Sequence, residues 1–109
     1  MGSLSYYGVR VDFEDRLLSH LQIVIVQQFR RKESFTMSWL DAISVGDGRS
    51  SVWLHPDGDL YFKFAGSRLP SINQDWLDTL SESARSSRGL VVTREDGRLA
   101  HAEGLGVRH

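Results

Sequence analysis

The stretch Glu14–Arg31, with the sequence E-D-R-L-L-S-H-L-Q-I-V-I-V-Q-Q-F-R-R, constrains the fold more than any other part of the chain. Its apolar residues recur at helical spacing and cover an arc of roughly 140° on a helical wheel, wide enough to face a core. They are Leu17, Leu18, Leu21, Val24, Ile25 and Phe29. Acidic residues gather at the start of the stretch and basic residues at its end, which complements the helix dipole. The pattern predicts one long amphipathic helix over this range.

A strand is the alternative for part of this stretch, because the run Ile23–Val26 is β-branched and such residues favour extended structure. The run lacks the strict alternation of a half-buried strand, however, and the charges at the two ends fit a helix. We therefore favour the helix. Ile23 and Val26 lie outside its apolar arc, so either a second layer covers them or they form an oligomer contact.

The remaining segments predict an α+β domain with the element order β-β-α-β-β-β-α-β. Short alternating or β-rich runs predict strands at Leu4–Tyr6, Val9–Phe13, Phe35–Trp39, Ser51–His55, Leu60–Ala65 and Leu90–Thr93. A second helix follows Pro70, with Ser71 and Asn73 as competing N-cap residues. The simplest packing is a largely antiparallel sheet with both helices on one face.

The length of 109 residues suits one domain, which we expect to span residues 1–93. Residues 94–109 contain three glycines and few large apolar side chains. Because such a segment can bury little apolar surface, we expect it to be a mobile or disordered tail.

The composition excludes several classes of function. The 13 basic and 14 acidic residues give a net charge of −1, so the chain as a whole is not biased toward nucleic acid or anionic membranes. The absence of cysteine excludes a disulfide scaffold, thiolate zinc sites and thiol catalysis. No apolar run reaches the length of a membrane span and the N-terminus lacks the pattern of a signal peptide, so we expect a cytoplasmic protein without a membrane partner.

The loop Gly46–Ser51, G-D-G-R-S-S, comes closest to a nucleotide-binding motif. A Walker loop requires a glycine where Ile43 stands, and a dinucleotide fingerprint requires a third glycine where Ser51 stands. The four histidines show no metal-ligand spacing, and no serine belongs to a nucleophile motif. We therefore predict a plain connecting loop, no cofactor, no metal site and no catalytic residues.

A candidate binding face is predicted on the strands Ser51–His55 and Leu60–Ala65, which the turn Pro56–Asp59 should join as a hairpin. Strand alternation predicts four side chains on the face turned away from the core, namely Trp53, His55, Tyr61 and Lys63. Arg49 and Arg68 lie at the strand ends. Such a face can stack the bases and contact the phosphates of a single-stranded nucleic acid. One alternative is a homodimer that buries this face, and exposed aromatic residues favour such an interface. The other is that the strands face the opposite way, with Trp53 in the core.

Several stretches resemble a family of short uncharacterised actinobacterial proteins. They are M-G-S-L-S-Y, R-R-K-E-S-F-T-M-S-W, G-D-G-R-S-S-V-W-L-H-P and F-A-G-S-R-L-P-S-I-N-Q-D-W, and the similarity extends from Met1 to Val92. Some members carry an automatic label of ATP-dependent DNA ligase, which implies at most an association with DNA metabolism. Ligases of that kind use a K-x-D-G motif, whereas Lys32 opens K-E-S-F and Lys63 opens K-F-A-G.

Three classes of function follow, in order of preference. The first is a small non-enzymatic binding or interaction domain that self-associates. The second is a nucleic-acid-binding accessory protein that uses the candidate binding face. An enzyme comes third, because the sequence assembles no nucleophile, base and orienting group.

Overall fold

The computed structural model describes residues 1–46 and 48–107. In chain order its helices and strands are β1 (Gly2–Tyr6), β2 (Val9–Phe13), α1 (Asp15–Arg30), β3 (Phe35–Leu40), β4 (Arg49–Leu54), β5 (Leu60–Lys63), α2 (Gln74–Ala84), β6 (Leu90–Val91) and β7 (Gly104–Val107), with a short 3₁₀ turn at Ile43–Val45. The predicted α+β class and element order are confirmed. Strand β7 is an additional strand after the last predicted element.

The strands divide between two sheets, whereas the sequence predicts one. The first sheet has the order β5-β1-β2-β7 and is antiparallel throughout. The second has the order β4-β3-β6, with β3 antiparallel to β4 and parallel to β6. The division escapes sequence analysis because alternation identifies a strand without identifying its partner.

The predicted hairpin between β4 and β5 is wrong. The turn itself is present, since the Gly58 N–H donates to the His55 carbonyl oxygen at 3.0 Å. On either side of the turn, however, the two strands diverge, because β4 pairs with β3 in the second sheet and β5 pairs with β1 in the first. The local turn signal is therefore correct, but the strand pairing that usually accompanies it is absent between these two strands.

Helix α1 confirms the predicted apolar stripe. Leu18, Leu21 and Ile25 are fully buried. Ile23 is partly exposed and Val26 is 37 % exposed, as expected for residues outside the stripe. The helix packs against β1 of the first sheet and against α2, so its stripe lies in the shared core.

Asn73 is the N-cap of α2, which decides between the two predicted start signals. Its side-chain oxygen accepts hydrogen bonds from the N–H groups of Asp75 and Trp76 at 3.0 and 3.3 Å. The His20 ring of α1 bonds to the N-terminus of α2, and the Gln28 side chain bonds to its C-terminus. The two helices are therefore parallel neighbours, and α2 packs against β3 and β6 of the second sheet.

The segment predicted to be a mobile tail is part of the packed domain over residues 94–107. Ala100 and Ala102 are each 2 % exposed. The Leu40 N–H donates to the Ala100 carbonyl oxygen at 3.0 Å, and the Ala102 N–H donates to the Leu40 carbonyl oxygen at 2.7 Å. Strand β7 then pairs with β2. The expectation of an unpacked tail is therefore wrong for residues 94–107. The sequence misleads here because small residues held by backbone hydrogen bonds carry little hydrophobic signal. Residues 108 and 109 lie outside the described range.

Candidate functional site

The candidate binding face predicted from the sequence is divided between the two sheets. Trp53 on β4 and Tyr61 on β5 are both exposed, at 58 % and 61 %. They lie on strands of different sheets, however, so strand alternation does not bring them onto one face. Trp53 stands across from Thr36 in the second sheet, whereas Tyr61 stands across from Ser5 in the first.

Two of the predicted residues do share a face. Tyr61 and Lys63 lie on the same side of β5, opposite Ser5 and Ser3 of β1, and both are exposed. This side of the first sheet faces away from the core, because the intervening Phe62 packs against the core cluster. The predicted outward orientation is therefore correct for this half of the face.

His55 belongs to a small aromatic cluster. Its ring centroid lies 6.0 Å from that of Tyr6 and 5.9 Å from that of Tyr7. The backbone N–H of His55 also donates to the Tyr6 hydroxyl oxygen at 3.2 Å. Burial raises the pKa of that hydroxyl, which the hydrogen bond partly offsets. The half-buried His55 thus holds the turn after β4, while Arg49 and Arg68 are exposed elsewhere.

Trp53 lies in a groove of about 420 Å³ that the sequence analysis does not anticipate. Its walls come from the C-terminal ends of α1 and α2 and from the start of β3. We call it the Trp53 groove, and its lining residues are Gln28, Arg31, Glu33, Ser34, Phe35, Thr36, Trp53, Ala84, Arg85, Ser86, Ser87 and Gly89.

Two sets of hydrogen bonds shape the helix ends at this groove. The buried Gln28 side chain donates from Nε2 to the Ala84 carbonyl oxygen at 3.2 Å and ties the end of α1 to that of α2. Helix α1 closes in a Schellman motif, in which the Lys32 N–H donates to Phe29 at 2.9 Å and the Glu33 N–H donates to Gln28 at 3.0 Å. The chain therefore turns sharply toward β3 beside the groove.

Gly89 holds the turn after α2 against the other wall. Its φ is +77°, and a Cβ at this position would overlap Thr36. The Thr36 hydroxyl donates to the Arg88 carbonyl oxygen at 3.2 Å. Glycine is favoured here because a side chain would strain the left-handed backbone and its Cβ would overlap the Thr36 backbone.

Five basic residues surround the two helix ends, namely Arg30, Arg31, Lys32, Arg85 and Arg88. Within the described residues, none of them forms an ion pair with a carboxylate. Cations at helix C-termini are stabilised by the helix dipole, which explains their presence structurally. Since Glu33 is the acidic residue among the groove lining, the groove carries a local excess of positive charge on a chain of net charge −1.

The sequence contains the signal for these cations but not for their position. The runs F-R-R-K at the end of α1 and A-R-S-S-R after α2 mark basic helix ends. Their convergence on Trp53 depends on the parallel packing of the helices, which no local pattern encodes. Sequence analysis therefore misses Arg31 and Arg85 as lining residues of the groove, whereas Arg49 and Arg68 do not line it.

A second polar cluster lies at the opposite end of the helix pair. The Arg16 guanidinium forms a bidentate ion pair with the Glu95 carboxylate, with N···O distances of 2.6 and 2.7 Å. The Asn73 side-chain amide donates to the same carboxylate at 2.8 Å. These bonds, above all those from Arg16, lower the pKa of Glu95 from 4.5 to about 2. The Arg16 guanidinium also lies 5.5 Å from the centroid of the Trp76 ring.

His20 is fully buried beside this cluster. Its Nδ1 lies 2.7 Å from the Arg16 carbonyl oxygen, which can only accept, and its Nε2 lies 3.0 Å from the Asn73 N–H, which can only donate. The ring therefore carries its proton on Nδ1 and accepts at Nε2. Because both nitrogens are engaged, His20 joins the body of α1 to the start of α2.

Within residues 1–46 and 48–107, no group of three or more histidine, aspartate or glutamate side chains is placed to hold a metal ion. None of the helices in this part of the chain has the length and hydropathy needed to cross a membrane.

Residues 1–95 match the family described as Domain of unknown function (DUF7882). The chain belongs to this family. No curated protein and no solved structure matches it. The DUF7882 match includes every residue that lines the Trp53 groove and both partners of the Arg16–Glu95 ion pair, whereas β7 lies beyond it.

Proposed function

We propose that the protein is a small non-enzymatic binding domain that holds single-stranded nucleic acid in the Trp53 groove. The observation that carries the proposal is the exposed Trp53 ring in a groove shared with Arg31 and Arg85, which have no carboxylate partner among the described residues. A base stacks on the indole, and the two guanidinium groups contact the flanking phosphates.

The expected affinity is modest. Stacking on an aromatic side chain contributes roughly 1–3 kcal/mol per base. Two phosphate contacts imply a shallow dependence on salt, with a slope of log K against log salt of about −1.4 for a single strand. Because the net charge is −1, long-range attraction adds little, and binding should be measurable mainly at low salt.

Tryptophan fluorescence offers a direct measurement. The chain has three tryptophans, and Trp39 and Trp76 are 3 % and 5 % exposed, so quenching by an added oligonucleotide reports on Trp53. We expect a short oligothymidylate to quench the emission at low salt. The absence of quenching and of any anisotropy change in a labelled oligonucleotide would contradict the proposal.

The variants separate the groove from the face predicted by sequence. Measured by the anisotropy of a labelled oligonucleotide, Trp53→Ala and Arg85→Ala should each weaken binding about tenfold. The matched controls Tyr61→Ala and Arg68→Ala should bind like the unaltered protein, because neither residue lines the groove. Equal binding by Trp53→Ala would exclude the groove as the site.

The family resemblance agrees with this proposal in one respect. The automatic DNA ligase label on some of the proteins that the sequence resembles implies at most an association with DNA metabolism, and a single-strand-binding groove fits such an association. Ligase catalysis is not part of the proposal, because K-E-S-F at Lys32 and K-F-A-G at Lys63 both lack the aspartate of K-x-D-G.

Self-association through α1 is the second candidate function. Ile23 and Val26 lie on the outward side of the helix, next to the uncharged Ser19 and Gln22, with the exposed Arg30 one turn beyond Val26. Exposed apolar side chains that adjoin one another on a surface are typical of contacts between identical subunits. Such a contact buries mainly apolar surface and should depend little on salt.

Light scattering at micromolar concentration tests this candidate. We expect a mass above that of the monomer, and Val26→Lys should return the protein to a monomer without loss of fold, because Val26 is already 37 % exposed. A monomer at high protein concentration would exclude self-association through this surface.

A further inference from the structure

Among the described residues that line the Trp53 groove, Glu33 is the only acidic one, and it shares the groove with Arg31 and Arg85. Its exposed carboxylate forms no ion pair with any described residue. It is also unsuited to the phosphates of a bound strand, because like charges repel each other at short range. The Glu33 carboxylate is therefore open to a different part of the ligand, one that carries hydrogen-bond donors.

The backbone fixes Glu33 at the groove. Its N–H donates to the Gln28 carbonyl oxygen at 3.0 Å in the Schellman motif that ends α1. Gln28 is buried and its side chain is bonded to Ala84 of α2, so the backbone of Glu33 is tied to both helix ends. Strand β3 begins two residues later and pairs Thr36 with Trp53. Glu33 and the exposed indole consequently belong to the same groove.

Other polar side chains of the groove are engaged within the protein. The Thr36 hydroxyl donates to the Arg88 carbonyl oxygen at 3.2 Å. The Ser86 hydroxyl donates to the Ser83 carbonyl oxygen at 2.7 Å. Since the arginines of the groove are suited to phosphates, Glu33 is the charged acceptor that is left to recognise a base.

A carboxylate distinguishes the bases by the donors on their edges, because it can only accept hydrogen bonds. Guanine carries two adjacent donors on its Watson–Crick edge, N1–H and N2–H₂, and these can bond to both oxygens of one carboxylate. Thymine offers a single N3–H on that edge. In adenine and cytosine the exocyclic amino group lies beside a ring nitrogen whose lone pair repels a carboxylate. Guanine is therefore the DNA base that fits a carboxylate with two parallel hydrogen bonds.

We propose that Glu33 makes the Trp53 groove selective for guanine. The guanine ring stacks on the Trp53 indole, its N1–H and N2–H₂ groups donate to the Glu33 carboxylate, and Arg31 and Arg85 contact the flanking phosphates. This inference rests on the proposed binding of single-stranded nucleic acid and names the base that the site prefers. A bidentate contact to a base edge discriminates against other bases by about tenfold.

Fluorescence anisotropy of labelled strands, measured with the full chain at low salt, tests the base preference. The reference is a nine-nucleotide oligothymidylate, and three further strands replace its central thymine with guanine, adenine or hypoxanthine. We expect the guanine strand to bind about tenfold more tightly than the reference. Adenine accounts for the stacking of a purine, and hypoxanthine lacks the N2 amino group, so both strands should bind more weakly than the guanine strand. Equal binding of either one would overturn the proposal.

Protein variants assign the preference to Glu33. Glu33→Gln should bind the guanine strand about tenfold more weakly. It should bind the reference strand slightly more tightly, because a negative charge no longer lies near the phosphates. Its Tm should match that of the unaltered protein, since Glu33 is exposed and forms no ion pair with the described residues. Glu82→Gln removes an exposed carboxylate outside the groove and should retain the guanine preference.

The same titrations separate this inference from the proposed function on which it rests. If the reference strand binds and guanine gives no advantage, selection by Glu33 is wrong while the groove remains a binding site. If none of the strands binds, both proposals are wrong. A guanine preference that survives in Glu33→Gln would show that another group reads the base and would overturn the inference.

Discussion

Lys32 occupies a position that favours glycine. It follows the C-cap of α1 with φ of +59°, the left-handed residue of the Schellman motif. A residue with a Cβ is strained there by roughly 1–2 kcal/mol. We expect Lys32→Gly to raise the free energy of unfolding by about 1 kcal/mol and Tm by about 4 °C.

Thermal and urea unfolding measure this effect, and the same substitution at Lys63 serves as the control. Lys63 lies on the extended strand β5, where glycine offers no conformational advantage, so Lys63→Gly should lower Tm. A fall in Tm for Lys32→Gly would show that the Lys32 side chain stabilises the helix end more than its backbone strains it.

Glu95 makes stability depend on pH at the acidic end of the scale. Because Arg16 and Asn73 lower the pKa of the folded Glu95 to about 2 from 4.5, the ionised carboxylate stabilises the folded state above about pH 4.5. That contribution is lost as the pH falls from about 4.5 to about 2. The Asp15 carboxylate adds to the effect, because hydrogen bonds from the N–H groups of Ala65 and Gly66 lower its pKa as well.

Unfolding of Glu95→Gln isolates this contribution. We expect the unaltered protein to be more stable than Glu95→Gln at neutral pH and the difference in Tm to shrink as the pH is lowered through the window from 4.5 to 2. A difference that stays constant across that window would mean that the Arg16 bond contributes through geometry and not through charge.

At the scale of single elements, the core-facing and outward sides of α1 should respond differently to an introduced aspartate. Ile25 is fully buried, so Ile25→Asp places an unpaired carboxylate in the core and should abolish cooperative thermal unfolding. Ile23 is partly exposed, and Ile23→Asp should leave a cooperative transition. Equal loss of the transition in both variants would indicate that α1 is effectively buried on all sides.

Elements with a strong local signal are those that the sequence predicts well. Helix α1 is found within one residue of each predicted end, because periodicity, terminal charge and length agree. The start of α2 stays ambiguous in sequence because Ser71 and Asn73 both satisfy an N-cap rule, and the hydrogen bonds of Asn73 decide it.

Pairing between distant elements is what the sequence does not determine. The predicted turn at Pro56–Asp59 is present, yet β4 and β5 pair with strands of different sheets. Strand alternation likewise predicts that Trp53 is exposed. It does not predict which residues of other elements lie beside Trp53. Arg31 and Arg85 are 54 residues apart in the sequence, and the Gln28–Ala84 hydrogen bond ties their helix ends together.

At the scale of the whole molecule, residues 94–107 tie the two sheets to each other. The Ala100 N–H donates to the Val92 carbonyl oxygen at 3.0 Å, and the Leu40 N–H donates to the Ala100 carbonyl oxygen, so this part of the segment adds to the second sheet. A few residues later β7 pairs with β2 of the first sheet. One short segment therefore contributes to both sheets, and the Arg16–Glu95 ion pair ties its start to α1.

Shortening the chain tests whether residues 1–93 form a domain on their own. A chain ending at Thr93 loses the buried Ala100 and Ala102, the partner of Arg16 and strand β7, and we expect a loss on the order of 3–5 kcal/mol or no cooperative transition at all. A chain ending at Glu103 keeps the contacts to the second sheet and loses only β7, so its stability should be intermediate. Urea unfolding of the three lengths gives the order directly. If the chain ending at Thr93 unfolds at the same urea concentration as the full chain, the segment is an addition to a domain that is complete without it.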